Sequence, residues 1–136
     1  MAGAIHCVVV TPEATTVDEK ADFVVVPMID GEAGIGVDHA PMIGRLGCGE
    51  VRIKIDGKGR RFFVDGGFVQ VDQNEVSVIT GQAIAAAEID VQEAEAALQS
   101  ANASNPESKE AKLEKQRVRD QAKAKLKVAG KTENNQ

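Results

Sequence analysis

An all-β sandwich of about ten short, mainly antiparallel strands, followed by a C-terminal α-helical hairpin, is the fold class that this 136-residue sequence predicts. Three observations carry it. Between positions 5 and 87, runs rich in Val and Ile recur between Gly, Pro, Asp and Asn, the punctuation of short strands joined by turns. Near Glu88 the apolar period lengthens to that of a helix. Asn102-Ala103-Ser104-Asn105 then breaks the helical pattern once, which makes the tail a pair of helices. The division falls between a sandwich over residues 1–88 and a hairpin over residues 89–136 that frays after about residue 130.

Taken in order, the clearest strands are 5–10, 23–26, 51–55, 61–64, 68–71 and 76–79. Asp18-Glu19-Lys20-Ala21-Asp22 reads as a solvated turn between the first two. The segment from Asp30 to Leu46, with its glycines, Pro41 and lone His39, reads as a shaped docking loop. In Val51-Arg52-Ile53-Lys54-Ile55 strict alternation sends three β-branched side chains inward and two basic ones to water. Asp56-Gly57-Lys58-Gly59 supplies the chemistry of a hairpin turn into Arg61-Phe62-Phe63-Val64. Gly66-Gly67 and Gln73-Asn74 mark the next two reversals.

The first helix starts after Ile89, with Asp90 as N-cap and Glu93 three positions on to close a capping box. Ala94, Ala96, Ala97, Leu98 and Ala101 favour helix but offer only a narrow apolar face. Asn105-Pro106-Glu107 reads as the cap and opening of the second helix. Along it Ala111, Val118, Ala122, Leu126 and Ala129 share one side, while Lys112, Arg119, Lys123 and Lys127 lie off it; Gly130 ends the pattern. At roughly 25 cal/mol per Å², two such alanine-rich stripes bury too little to be held strongly together. Two readings stay open: a hairpin whose position a partner biases, or a merely solvated one.

Bulk properties exclude several functions. The chain carries a net charge of −5, with 13 acidic and 7 basic side chains over residues 1–88 and 8 against 9 over residues 89–136. Its basicity therefore concentrates on the tail, where a helix can present it to an acidic protein surface. Four Phe and no Trp or Tyr leave no stacking platform for nucleic acid. Cys7 and Cys48 have no metal-ligand or disulfide-scaffold spacing and read as free thiols. No secretory leader is seen, and no run approaches the roughly 18 apolar residues of a membrane span, so membrane association has to pass through partners. No nucleophile, base and acid constellation is signalled, His6 and His39 lack ligand spacing, and Gly31 to Gly36 lacks the offsets of a dinucleotide loop. The expectation is a non-enzyme without cofactor or metal.

The segment Gly31-Glu32-Ala33-Gly34-Ile35, the following His39-Ala40-Pro41, and Val64-Asp65-Gly66-Gly67-Phe68-Val69-Gln70-Val71 before a charged helical tail resemble the epsilon subunits of bacterial F-type ATP synthases. The likeness runs from about Ile5 to Ala129. It implies a non-catalytic central-stalk subunit, peripheral on the cytoplasmic face of the bacterial inner membrane, whose sandwich joins the gamma subunit to the c-ring. By the resemblance Glu32 faces the polar loops of the ring, and His39, Ala40, Pro41, Met42 and Ile43 belong to the rotor interface; from the residues alone, Glu32 is an exposed turn acid and His39 a hydrogen-bonded structural residue. The resemblance further implies that the helices extend along gamma to impede ATP hydrolysis, with Arg117, Arg119, Lys123, Lys125 and Lys127 meeting an acidic segment of a beta subunit.

Two departures stand out. Val37 and Asp38 replace the proline and glycine that precede the family's loop histidine, which implies a different turn. Some members bind ATP at the hairpin through a motif of Ile or Leu, Asp, two variable residues, Arg and Ala. Here Ile89-Asp90-Val91-Gln92-Glu93-Ala94 puts Glu where the arginine belongs, and Gln121 and Lys125 stand for the supporting arginines. An anion in place of a phosphate-binding cation repels the nucleotide, so weak or absent ATP binding is expected. The alternative to a rotor subunit is a stand-alone β-sandwich adaptor with a basic helical hairpin.

Overall fold

The computed structural model describes residues 4–130. Eight strands precede the helices: β1 (Ile5–Val10), β2 (Thr15–Ala21), β3 (Phe23–Met28), β4 (Gly31–Ile35), β5 (Met42–Ile55), β6 (Lys58–Asp72), β7 (Glu75–Ile79) and β8 (Ala83–Ala85). A 3₁₀ turn at Ala86–Glu88 leads to α1 (Val91–Ala103) and α2 (Lys109–Gly130). The strands follow one hydrogen-bonded path, β2-β1-β7-β6-β5-β3-β4, with β8 on β6. All pairings are antiparallel except β1 with β7.

One path becomes two layers because β5 and β6 bend together. Their register is continuous from Met42 opposite Val71 to Ile55 opposite Lys58. Yet the buried positions change parity along both, from Leu46 to Val51 and Ile53, and from Phe62 and Val64 to Val69 and Val71. The bend sits at Gly66 and Gly67, with φ of +71° and +106°, which L side chains rarely adopt. At Gly67 a Cβ would also stand 1.9 Å from the carbonyl oxygen of Ile79. Thus the glycine pair bends a strand where a reversal was expected, and segments 61–64 and 68–71 are halves of β6. The strands number eight where about ten were expected, and this merger removes one of them.

Two further expectations are corrected. The charged run 18–22 lies mostly in β2, which buries only Val17 and Ala21 and carries its charges outward on a sheet edge. Within the expected docking loop, Gly31–Ile35 is strand β4, paired with β3. The Phe23 ring rests on Gly34, where a Cβ would stand 2.8 Å from the tip of the ring, which accounts for a glycine inside the strand. Pro27, lacking an N–H, falls where the pairing of β3 with β5 breaks register between Val25 and Met28. The turns at Asp56-Gly57 and Gln73-Asn74 match expectation, each with two left-handed residues.

The main core joins both layers: Val9, Val17, Val76 and Val78 meet Val24, Val26, Val51, Ile53 and Phe62 in one cluster. A second cluster lies under the hairpin and contains Phe63, Ala86, Ile89 and Val128. Ile89 therefore belongs to the sandwich–hairpin joint. The helix α1 begins as expected, Asp90 accepting from the Glu93 amide at 3.0 Å. Helix α2 starts later than expected. Ser108 is its cap, with Oγ accepting from the Ala111 amide at 3.0 Å, and Asn105-Pro106 stays extended linker because the residue before proline disfavours helix. Expected fraying beyond about residue 130 concerns residues 131–136, which lie outside the described residues.

Candidate docking and helix-anchoring sites

The loop between β4 and β5 is held at one end of the sandwich by the β6–β7 turn. Asp38 has φ of +62°; its amide donates to Asn74 Oδ1 at 2.6 Å, and Asn74 Nδ2 donates to Asp38 Oδ1 at 3.2 Å. Asx residues tolerate this conformation, so Asp38 does here what glycine would do. His39 is half-buried, with Nδ1 2.7 Å from the Ala40 carbonyl. Ala40 and Pro41 are exposed, and Pro41, Met42 and Ile43 line a shallow groove of about 390 Å³ with Gln70, Val71 and Asp72. These five expected site residues are contiguous at one end.

Glu32 is placed apart from them. It sits opposite Pro27 on β4 and makes a bidentate pair with Arg52, at 2.9 and 3.2 Å. It is thus an exposed strand acid with a fixed partner.

A larger feature escaped the sequence reading. Register places Arg45 and Ile79 on either side of Phe68, and Ile43 and Ser77 on either side of Gln70, so all six project from one sheet face. Ile43 is 75% exposed, and Phe68 and Ile79 are each 51% exposed. Large apolar side chains grouped on an outer face mark a contact surface. The signal was present as alternation in 68–71, but alternation alone does not say that the outward side is apolar too.

On the other layer, the outward face of β5 and β6 receives α2, and α1 packs on α2. Val128 is 2% exposed against Phe63 and Ile89. Lys125 Nζ lies 5.5 Å from the centroid of the Phe63 ring, and Gln121 Nε2 donates to Asp65 Oδ2 at 2.8 Å. The five candidate regulatory cations divide: Lys123 and Lys127 are exposed, Arg117 is exposed and paired with Glu114 at 2.8 Å, and Arg119 and Lys125 are half-buried. The expected stripe is only partly right, since Ala122 is buried but Ala111 is exposed and Val128, not foreseen, is the deepest anchor.

Between α1, α2 and the 3₁₀ turn lies a cleft of about 240 Å³, at the position of the departed nucleotide motif. Glu88, Asp90 and Glu93 line it against one ammonium, Lys125. Its charge opposes a polyphosphate.

Burial pushes both thiols, Cys7 and Cys48, up to about 12, so neither is a thiolate nucleophile near neutrality. Both are free. Among the described residues no group of three His, Cys, Asp or Glu could hold a metal ion, and no helix is long and apolar enough to cross a membrane.

Comparison with known proteins agrees with this architecture. Residues 4–86 match the family model for the ATP synthase delta/epsilon chain beta-sandwich domain. The chain is 56% identical over 81 residues to an ATP synthase epsilon chain of Rhodopirellula baltica, a match spanning 60% of this chain and 63% of that one. It is 43% identical over 101 residues to the epsilon chain of Carboxydothermus hydrogenoformans, covering 74% and 75%. For a Synechococcus epsilon chain the figures are 36% over 117 residues, 82% and 85%. In fold it is similar to a chain of the Euglena gracilis mitochondrial ATP synthase, with TM-score 0.74 at 23% identity, covering 98% of this chain and 81% of that one. A chain of the Tetrahymena thermophila central stalk and c-ring gives 0.69 at 14%, covering 93% and 96%. A sandwich bent at Gly66-Gly67, a helical hairpin laid on its outer layer and the agreement of these sequences together establish that the chain belongs to the epsilon-chain family of ATP synthases.

Proposed function

We propose that this chain is a non-catalytic central-stalk subunit that clamps the gamma subunit to the c-ring of a proton-translocating ATP synthase, peripheral on the cytoplasmic face of a bacterial inner membrane. The observation that carries it is the outward apolar group of Ile43, Phe68 and Ile79 beside the His39–Pro41 end, exposed side chains of the kind a docking partner covers. Transmission of torque needs stiffness, which a two-layer core provides. His39, Ala40, Pro41, Met42 and Ile43 belong to the docking end in this reading. Glu32 contributes from the β4 edge, where Arg52 fixes its carboxylate. Affinity for the partner resides in the exposed apolar anchors Ile43, Phe68 and Ile79, which docking would bury, with the charged rim setting orientation.

The hairpin is the regulatory half. Folded against the sandwich, it keeps Lys125 over Phe63 and Arg119 half-buried; extended, all five cations Arg117, Arg119, Lys123, Lys125 and Lys127 become available to an acidic beta-subunit surface. No ATP cofactor holds it folded, since the cleft is lined by three carboxylates.

The test is assembly. Full-length chain should travel with gamma and the c-ring in detergent extracts of native membranes, and Phe68→Glu should release it while leaving the folded chain intact, because Phe68 is half exposed. A chain that migrates alone in those extracts would instead be a stand-alone adaptor, and the rotor reading would fail.

A further inference from the structure

We infer that the β4 edge and the last turn of α2 are coupled through one chain of hydrogen-bonded charges, Glu32, Arg52, Glu50 and Arg61, so that a group drawing Glu32 away from Arg52 loosens α2. The contacts are continuous. Glu32 accepts twice from Arg52. Arg52 Nη1 donates to Glu50 Oε1 at 3.0 Å, and Arg61 Nε donates to Glu50 Oε2 at 2.6 Å. Arg61 Nη2 then donates to the backbone carbonyl of Val128 at 2.5 Å.

Burial makes the middle of this chain costly to disturb. The side chains of Glu50 and Arg61 are 5% and 9% exposed, and a carboxylate out of water needs its cations in place. Arg52 and Arg61 face each other directly across β5 and β6, where like charges repel. Glu50 lies between them in charge, and Glu32 takes up the remaining charge of Arg52; its hydrogen bonds are the leading reason that Arg52 is held above its ordinary value. Without Glu32, Arg52 turns its full charge on Glu50 and against Arg61.

What Arg61 holds is the carbonyl end of α2, the negative pole of the helix, which a cation stabilises. This grip counts for much because α2 buries only Ala122 and Val128 among its described residues. A helix so lightly buried is weakly held, and a change in its polar anchor moves the balance between its docked and loosened states. The coupling belongs to the chain by itself and does not depend on which partner meets Glu32.

Amide exchange of the full-length chain, read by mass spectrometry, tests it. Arg61→Lys keeps the charge but cannot serve Glu50 and Val128 with one planar fork, so exchange in the last turns of α2 should rise about tenfold. Glu32→Gln, a surface change on another strand, should raise exchange in the same turns about threefold, and should add nothing in the Arg61→Lys background. Amides of β1 and β7 report that the sandwich stays intact; where Arg61→Lys disturbs them, Arg52→Lys takes its place with the same expectation. Unchanged exchange in Glu32→Gln, or effects of the two substitutions that simply multiply, would overturn the coupling.

Discussion

His6 shows how single side chains tie the sheet edge. On β1 it lies between Asp18 of β2, 2.6 Å from Nε2, and Glu75 of β7, 3.0 Å from Nδ1. Asp18 and then Glu75 raise its pKa from the ordinary 6.5. Because the folded value is raised, its contribution to stability is complete below the unfolded value and is lost as pH rises through the folded one. The side chain is 41% exposed, so solvent screens the effect and the ring titration reads it better than a melting curve. An NMR titration should place the His6 midpoint above 6.5, and Asp18→Asn should bring it down; an unmoved midpoint would remove Asp18 as the cause. Gly67 presents a steeper case. Its Cβ would collide with the Ile79 carbonyl at φ +106°, so Gly67→Ala should cost about 3 kcal/mol in urea unfolding, and a loss near zero would show the corner to be pliable. Neither side chain's role was legible from sequence: the partners of His6 come from strands 12 and 69 residues away, and a glycine pair looks the same whether it bends or reverses a strand.

At the scale of elements, legibility followed how far a local signal competes with tertiary context. Strand β1 and the start of α1 agree with expectation because Val-rich alternation and the Asp90–Glu93 cap are local devices. Strand β2 was missed because an edge strand needs only Val17 and Ala21 inside, which leaves a charge run. Strand β4 reads as loop because of its glycines, and one of them, Gly34, answers to the Phe23 ring, a contact no local pattern encodes. The opening of α2 went to Asn105 because two capping residues stand three apart and only the chain's path chooses Ser108. Val128 was passed over for Leu126 and Ala129 because the helix was phased from its first half, whereas its last turn faces Phe63. Two consequences follow for the hairpin. Val128→Ala, which empties a site 2% exposed, should cost about 1–2 kcal/mol and appear first as faster exchange in α2, with β1 and β7 unaffected. In the cleft, the full-length chain should show no sub-millimolar ATP binding by calorimetry, and Glu93→Arg should strengthen whatever binding exists; tight binding by the unaltered chain would mean that Lys125 outweighs three carboxylates.

For the whole molecule, the decisive matter is whether the hairpin restrains hydrolysis by leaving the sandwich. Deleting residues 89–136 is a blunt probe, because it uncovers Phe63 and strips the Val128 carbonyl from Arg61, changing the sandwich along with the tail. A lock is cleaner. Cys48 on β5 is half-buried at the hairpin face, packed against the cluster to which Ala124 of α2 also belongs, and it is a free thiol. In an Ala124→Cys variant, an oxidant can join positions 48 and 124, which pack against the same cluster, and the bond pins α2 without removing a residue. Its burial keeps Cys48 protonated at neutral pH, with a value up to about 12, so closure is slow and needs an added oxidant that takes up the two electrons of the two thiols. Within the assembled enzyme, the locked form should hydrolyse ATP faster than the reduced form, and a reductant should restore the lower rate, because a helix fixed to the sandwich cannot reach the catalytic subunits. The sandwich surfaces of Ile43, Phe68 and Ile79 lie on the other layer, so docking should be the same in both forms. Equal hydrolysis rates in locked and reduced enzyme, with the subunit present in each, would confine this chain to the mechanical part of the rotor.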